Sequence, residues 1–519
     1  MKKNLHKILK SGKLAPFLSG LLVIFSLPPF NLGFLAYIAL LPLLASFHND
    51  NFYFGFEKGF IYGFVLNLGV MYWLSVNQGT YWYFSTLSMI ASVLFLALFY
   101  GLAGSVVSII GRRIGGETAL VTMPLVFTIL EWLRSYGTMG FTWNNLCYSQ
   151  SCFETVMQIA AFTGPFGISL WIYVLNILIF FAILKWGRYK IRISGITIIV
   201  IIFPFLFGFL VLQIVDMGAG KPTSDMLNVT VVQPNINPNE KWEVEAYRNN
   251  MDNMFRLSKN EIDSNNTKLL VWPETAVPTY VRLNRRNSFN EIKAFLDRNQ
   301  VALITGVPDY KRKNDDYLYY NAVFFMAPWL EQFDVYYKIH LVPFGEYIPL
   351  SSRFEDLKKL NLGQGNFEAG KNITLFEMKN REKPVTLSTA ICFESSFPNL
   401  IRKGVKKGAN LITIVTNDAW FANTSAPYLH AEIARFRAVE NHTPVLRSAN
   451  TGISMIIDKY GRIVKKSKFN KTDALSAKID ISKEKTFYSQ TGNWIGIICV
   501  ITLSYLLIFS YIRRRNENL

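Results

Sequence analysis

Seven apolar runs crowd the first 215 residues, and an eighth closes the chain. They cover about Leu14–Leu27, Leu32–Phe47, Gly59–Val76, Phe84–Ile110, Ala119–Leu133, Gly167–Leu184, Ile196–Val215 and Trp494–Ile512. Each is close to the roughly 20 residues that cross a bilayer, allowing for tilt. The expected architecture is therefore a multi-pass α-helical membrane protein of eight spans. Lys2, Lys3, Lys7, Lys10 and Lys13 precede the first run as they would in a signal peptide. No small-residue cleavage site follows, and Pro28-Pro29 leads straight into the next run, so the segment reads as an uncleaved anchor.

Charge gives an orientation. The net charge of +18 has a bland source in part, since Lys and Arg flank the apolar runs. These residues form no patch with a nucleic-acid-binding motif, which argues against nucleic acid as a partner. Attraction to anionic lipid fits them better. With the basic N-terminus inside, the returning loops include Arg112-Arg113, the segment Lys185–Arg192 and the tail Arg513-Arg514-Arg515. The opposite loops, Pro28–Asn31, Asn77–Tyr83 and Ser135–Ser151, carry no Lys or Arg. This is the positive-inside pattern. Asn49–Lys58 fits it least well, with a single Lys. An even span count puts both termini inside and everything between the seventh and eighth spans outside.

The expected domains are 1–216, a seven-span membrane domain; 227–483, an extracytoplasmic α/β domain; and 490–519, the last span with a basic cytoplasmic tail. Between about Leu227 and Ser482 charges become frequent and short apolar strands alternate with helical stretches. Strands are expected at Asn228–Gln233, Lys268–Trp272, Val301–Gly306, Asn321–Met326, Val385–Ile391, Leu411–Thr416, Val445–Ser448 and Ile453–Ile457. Helices are expected at Asn239–Lys259, Phe289–Asn299, Phe397–Lys407 and Pro427–Asn441. Such alternation argues a layered α/β domain. The Gly-containing, helix-poor stretch Leu350–Gly370 is a candidate lid.

Four cysteines argue against a disulfide scaffold. Cys147 and Cys152 could pair if their loop faces an oxidising side, but connectivity does not follow from sequence. Cys499 reads as packing in an apolar helix. Glu131 and Arg134, near the outer end of the fifth run, are either a helix-end i,i+3 pair or a functional one. The crowding of Trp132, Trp143 and Tyr148 at the same interface favours function.

The chemistry concentrates where three apolar strands end. Val271-Trp272-Pro273-Glu274-Thr275 brings a carboxylate. Lys338, in the stretch Tyr337 to Glu346, brings an ammonium. Ser388 to Ser396 brings Cys392. In α/β sheets ligands sit beyond the carboxyl ends of strands. A Glu, a Lys and a Cys delivered there make a base, a cation for developing negative charge, and a nucleophile for acyl transfer. A helix start after Cys392 is expected to favour its thiolate. A lone Cys is more often structural; the company of Glu274 and Lys338 weighs against that here.

These motifs resemble the nitrilase superfamily. Joined to the membrane spans, in this order, they look like the bacterial apolipoprotein N-acyltransferase family. The stretches that carry the resemblance are Leu130-Glu131-Trp132-Leu133-Arg134, Gln233-Pro234-Asn235-Ile236, Trp272-Pro273-Glu274-Thr275, His340 to Pro349, Ile391-Cys392-Phe393-Glu394, Thr416 to Phe421, and Arg447 to Gly452. The resemblance implies a nitrilase-like αββα sandwich. It also implies an acyl chain passed from a phospholipid to Cys392 as a thioester, then to the α-amino group of an apolipoprotein's diacylglyceryl-cysteine. The setting implied is a bacterial inner membrane with the catalytic domain periplasmic. By the same resemblance Glu274 is the general base, Lys338 the oxyanion partner and Cys392 the nucleophile. Glu346 and Glu394 are accessory acids, and Phe393, Trp242 and Trp420 line the site. No cofactor and no metal are implied. Members commonly carry Tyr beside the nucleophile, where this chain has Phe393, so a hydroxyl is lost. A membrane-anchored amidase that hydrolyses its acyl-enzyme is one rival reading. A transporter or scaffold with a binding domain is another, and it has no need of the Glu–Lys–Cys set.

Overall fold

The computed structural model describes residues 12–77, 81–185, 188–218, 225–237, 240, 244–281, 288–314, 316–349, 366–379 and 384–517. The chain divides into two compact units: Met1–Ser75, Thr86–Met217 and Thr491–Leu519 in one, Val76–Ser85 and Gly218–Gln490 in the other.

The first unit is helical. In chain order it contains α1 (Leu14–Ser26), α2 (Leu41–Asn49), α3 (Gly55–Met71), α4 (Trp82–Arg113), α5 (Gly116–Leu133), α6 (Ala160–Leu184) and α7 (Arg188–Gly218), and a closing helix, Trp494–Glu517. Among the described residues, six helices are long and apolar enough to cross a membrane: Gly55–Val76, Trp82–Arg113, Gly116–Leu133, Ala160–Leu184, Tyr189–Met217 and Trp494–Arg513. The first two of the eight expected spans are shorter. Helix α1 has 13 described residues, and the run Leu32–Phe47 breaks into a 3₁₀ turn, Gly33–Tyr37, followed by the nine-residue α2. Pro42, in the first turn of α2, explains the break. It has no N–H to extend an earlier helix, and its ring clashes with the carbonyl four residues before it.

Small residues and polar contacts hold the helices together, as they must where lipid gives no hydrophobic drive. A Cβ at Gly59 of α3 would lie 2.1 Å from the carbonyl oxygen of Tyr100 on α4, so the two backbones touch there. Glu131 and Arg134 do not pair with each other. Glu131, fully buried, accepts from the Leu146 N–H (3.0 Å) and the Tyr173 hydroxyl (2.7 Å). Arg134 donates to Asn144 Oδ1 (2.6 Å), and Asn144 donates to Asn67 Oδ1 (2.6 Å). Both charges thus anchor the irregular segment that follows α5. Cys147 and Cys152 are not joined in a disulfide, and Cys499 packs with Phe166 and Ile495.

The second unit is a sandwich of two six-stranded sheets. One has the order β12-β1-β2-β3-β4-β5, from β1 (Met226–Gln233), β2 (Leu269–Val271), β3 (Ala302–Lys313), β4 (Asp316–Met326), β5 (Asp334–Tyr337) and β12 (Asp473–Asp480). The other has the order β11-β10-β9-β8-β7-β6, from β6 (Leu375–Met378), β7 (Val385–Ile391), β8 (Leu411–Thr416), β9 (Val445–Ala449), β10 (Met455–Ile457) and β11 (Ile463–Lys466). Val229, Leu269, Ile304 and Phe325 of the first sheet share one core with Leu387, Leu411 and Leu446 of the second. On the outer face of the first sheet, Met251 and Met254 of α8 (Val244–Asn265) and Phe295 of α9 (Asn290–Asn299) form another core. Outside the second sheet, Ile401 of α10 (Pro398–Lys406) and Ala431, Ala434 and Ala438 of α11 (Ser425–Asn441) close the last layer. This is the expected αββα order. Residues 350–365 of the candidate lid lie outside the described residues.

Candidate active site

Strands β2, β3 and β5 run in one direction in the first sheet, and β7, β8 and β9 are mutually parallel in the second. Glu274 follows β2, Lys338 follows β5, Cys392 follows β7 and Asp418 follows β8. The alternation of buried strands with helices therefore collects these side chains at carboxyl ends of strands.

Cys392 leaves its strand with φ of +51°, in the left-handed region. That conformation costs a non-glycine residue roughly 1–3 kcal/mol and survives only where its surroundings enforce it. Here they do. The Cys392 carbonyl accepts from Ser395 Oγ (2.9 Å) and lies 3.1 Å from His430 Nε2. The Glu394 carboxylate takes the Ile391 N–H one residue upstream (2.8 Å). A sharp strand-to-turn corner of this kind presents a nucleophile away from its own backbone. The corner opens into a five-residue 3₁₀ turn, Cys392–Ser396, rather than a helix start. The expected bias toward thiolate is absent. Burial and the neighbouring Glu274 push the thiol up, against the pull of Lys338. This environment favours the thiol over the thiolate, so nucleophilic use of the sulfur would require a base.

Glu274, Lys338 and Glu346 form one buried group. Lys338 Nζ lies 2.8 Å from Glu346 Oε1 and 3.8 Å from Glu274 Oε1. Burial disfavours the ammonium, but the two carboxylates outweigh it and hold the Lys338 pKa above the ordinary lysine range. Asn321 Nδ2 donates to both carboxylates, at 2.7 Å to Glu274 and 2.9 Å to Glu346. The Val342 N–H fixes the second oxygen of Glu346 (2.9 Å). Asn321 faces Lys338 because Ala322 pairs with Tyr337 in the β4–β5 ladder, and the Lys338 N–H bonds the Asn321 carbonyl (2.9 Å). Asn321 is not legible in the sequence: it lies inside a strand, where a single polar residue carries no motif.

Glu394 points away from the thiol, into a nest of donors. It accepts from the Tyr336 hydroxyl (2.9 Å) and from the N–H groups of Ile339 (2.6 Å) and His340 (3.0 Å), besides that of Ile391. Burial pushes its pKa up to about 7, opposed by those backbone donors. Glu394 thereby ties the Cys392 corner to the loop that carries Lys338. Phe393 packs edge-to-face on Phe397, with centroids 5.1 Å apart. Trp420 lies half-buried in the turn Asp418–Phe421, two residues beyond Asp418. Trp242 lies outside the described residues.

Next to Cys392 runs a second chain of polar groups, in which Thr416, Asp418 and Arg447 come from the motif stretches and His430 does not. His430 Nε2 lies 2.9 Å from Ser395 Oγ, and His430 Nδ1 lies 2.9 Å from Asp418 Oδ1. Asp418 also accepts from Arg447 Nη2 (2.8 Å) and Thr416 Oγ1 (3.0 Å). Burial would raise the Asp418 pKa, but Arg447 and His430 hold it below the usual carboxylate value. Burial, then Arg447, lowers that of His430. Ligand atoms of Cys392, Asp418 and His430 lie within 4.8 Å of one another, near enough for a metal ion. The donor set is a poor one for a resident cation, because Asp418 is already engaged by Thr416, His430 and Arg447 and the fixed charge of Arg447 sits against it.

Two family models match the chain. The carbon-nitrogen hydrolase model covers residues 228–487, and the apolipoprotein N-acyltransferase N-terminal domain model covers residues 19–178. Curated relatives match along nearly their whole length. The apolipoprotein N-acyltransferase of Geobacter metallireducens is 30% identical, over 96% of this chain and 95% of its own. That of Chlorobaculum tepidum is 28% identical over 98% of each chain. That of Rickettsia prowazekii is 30% identical, over 94% of this chain and 96% of its own. Among solved structures, Saccharomyces cerevisiae Nit3, a nitrilase superfamily member, aligns with a TM-score of 0.38 at 20% identity, over 50% of this chain and 91% of its own.

Proposed function

The chain belongs to the apolipoprotein N-acyltransferase family, and from that premise we propose how its own residues carry an acyl chain from a phospholipid to the α-amino group of an apolipoprotein's N-terminal diacylglyceryl-cysteine. One observation carries the reading: Glu274, Lys338 and Cys392 meet at the strand ends, with Lys338 held between two carboxylates.

In the first half-reaction Glu274 takes the Cys392 proton as the sulfur attacks the donor's ester carbonyl. A buried thiol held in its protonated form makes that base necessary. The oxyanion forms beside the Lys338 ammonium, which is charged before the substrate arrives and needs no reorganisation. Collapse breaks the ester C–O bond. The departing glyceryl oxygen takes the proton back from Glu274, leaving a thioester and a lysophospholipid. In the second half-reaction the acceptor amine attacks the thioester carbonyl and gives a proton to Glu274. The C–S bond breaks, and the proton returns to sulfur. Amide formation from a thioester is downhill, so the acyl group moves forward. Glu346 and Asn321 position Glu274 and Lys338 and do not exchange protons. Phe393, Trp420 and Trp242 are assigned to the walls that receive substrate.

The enzyme is a membrane protein. We assign it to a bacterial inner membrane with residues 227–483 on the periplasmic side. The Lys and Arg asymmetry of the loops supports this orientation. Six full spans or eight give the same parity, so both termini share the inner side under either count. Intact-mass analysis tests the chemistry. Purified enzyme given phospholipid without acceptor should gain one acyl mass, removable by neutral hydroxylamine, and shed it when a diacylglyceryl-cysteine peptide is added. An adduct lost to water at the same rate without the peptide would favour an amidase. No adduct would overturn the covalent route.

A further inference from the structure

A second candidate site lies within the helical unit. An open cavity of about 750 Å³ is lined by the end of α4, the start of α5, the end of α6 and the loop between α2 and α3. Its volume falls in the range of roughly 300–1,000 Å³ usual for small-ligand sites. Helix α7 starts three residues past Lys185 in this wall and runs for 31 residues, so its far end lies about 45 Å along the axis. The cavity is therefore remote from the far end of α7.

The loop that forms one wall is strained. Asn51, Phe52 and Phe54 have φ of +48°, +63° and +54°. Three left-handed non-glycine residues in one loop need an enforcing structure. Lys58 supplies it. This lysine, 1% exposed, donates to the carbonyls of Ser46 and Tyr53 (2.8 Å each) and pairs with Asp50 (3.0 Å). Phe52 is pressed against two glycines: a Cβ at Gly111 would lie 2.2 Å from its ring, and one at Gly116 would lie 2.7 Å away. Nothing in the acyl-transfer chemistry uses this construction.

The cavity is amphipathic and positive at its rim. Arg112 lies over the Tyr53 ring at 5.2 Å and has no carboxylate partner among the described residues. Lys185 pairs with Glu117 at 2.6 Å, but both side chains are largely exposed, at 42% and 76%, so a phosphate can replace that partner at little cost. His48 lines the same space, and helix α5 begins there on Gly115 with no side-chain cap. Phe181 and Leu184 supply apolar wall. Cations above apolar side chains, at the end of a bundle of membrane helices, match the headgroup and upper acyl chains of a lipid.

We propose that this cavity binds the phosphodiester headgroup of an anionic phospholipid, held by Arg112 and Lys185, as a lipid site separate from the acyl-transfer centre. The test uses full-length, delipidated protein carrying Cys392→Ala, so that no acyl transfer intervenes, and native mass spectrometry with dioleoyl phosphatidylglycerol or dioleoyl phosphatidylcholine. One phosphatidylglycerol should be retained at about tenfold lower lipid concentration than phosphatidylcholine. Arg112→Gln with Lys185→Gln should erase that preference. Glu117→Gln should strengthen it, because it frees Lys185 and removes an anion from the rim. This opposite sign separates the proposal from simple misfolding. Equal retention of the two lipids, or a preference unchanged in the double variant, would overturn the site. Displacement of phosphatidylglycerol by millimolar inorganic phosphate would also overturn it, reassigning the cavity to a soluble anion. With Cys392 restored, the double variant should form the acyl adduct as wild type does, which keeps this result independent of the catalytic reading.

Discussion

Every neighbour of the Glu394 carboxylate is a donor: Tyr336 Oη and the N–H groups of Ile339, His340 and Ile391. Glu394→Gln keeps the shape but turns an amide NH2 toward at least one of those N–H groups. A buried donor left facing a donor costs about 1–3 kcal/mol. The variant should therefore melt lower than wild type and acylate at least about tenfold more slowly, although Glu394 exchanges no proton in the reaction. A rate and melting temperature equal to wild type would show that the nest does not hold the Cys392 corner. The residues to which the proposed chemistry is assigned behave differently. Cys392→Ala should abolish the adduct while leaving the fold intact. Glu274→Gln should slow acylation by about 10²–10⁴-fold, the usual worth of a general base. Lys338→Arg should also be severely impaired, since a planar guanidinium does not fit between Glu274 and Glu346 as an ammonium does. Rates of adduct formation by mass spectrometry check all three. Phe393→Tyr should be tolerated, because the ring contact with Phe397 is kept.

Between β2 and β3 the backbones nearly touch. A Cβ on Gly306 would sit 2.6 Å from Glu274 Cα and 2.6 Å from the Thr275 nitrogen, both backbone atoms that cannot rotate away. The Gly306 N–H also bonds the Pro273 carbonyl (3.1 Å). Gly306→Ala must push the Glu274 corner outward. Overpacking of this kind costs about 1–3 kcal/mol, and the base moves from the thiol. The expected result is a lower melting temperature and an adduct rate reduced more than about tenfold, with lipid binding retained; an unchanged rate would mean the corner has room to shift. The elements that made this site legible from sequence are the ones that end in a motif. β2, β5 and β7 lead into Glu274, Lys338 and Cys392, and their apolar runs mark them as buried. The residues that stayed hidden lie inside elements. Asn321 is mid-strand, Tyr336 reads as one more aromatic in an apolar run, and His430 sits in the middle of α11 among buried residues. Edge strands β11 and β12 are equally illegible in the sequence. They are only partly buried, so they show no continuous apolar run. The second expected span is interrupted for a local reason, Pro42, which hydropathy averages away.

The two units were separable in sequence because they obey different solvents. One must hide every backbone polar group within helices; the other buries two sheets against each other beneath charged helices. Orientation then rests on charge alone, and it can be tested on the whole protein. Single cysteines would be placed on a background lacking Cys147, Cys152, Cys392 and Cys499. Asn266 and Asn314 are exposed positions of the α/β unit, and Asn516 is an exposed position near the end of the closing helix. A maleimide that cannot cross the inner membrane should label Asn266→Cys and Asn314→Cys in spheroplasts. It should label Asn516→Cys only after the membrane is permeabilised. Replacing Pro42 by Ala gives a useful contrast, since it restores a continuous helical run without changing any Lys or Arg; the labelling pattern should not change, because loop charge and not the length of α2 sets the side. Labelling of Asn314→Cys only after permeabilisation would invert the topology. It would also remove the catalytic domain from the periplasmic leaflet where the proposed apolipoprotein acceptor is presented, and the assignment of substrate would fall with it.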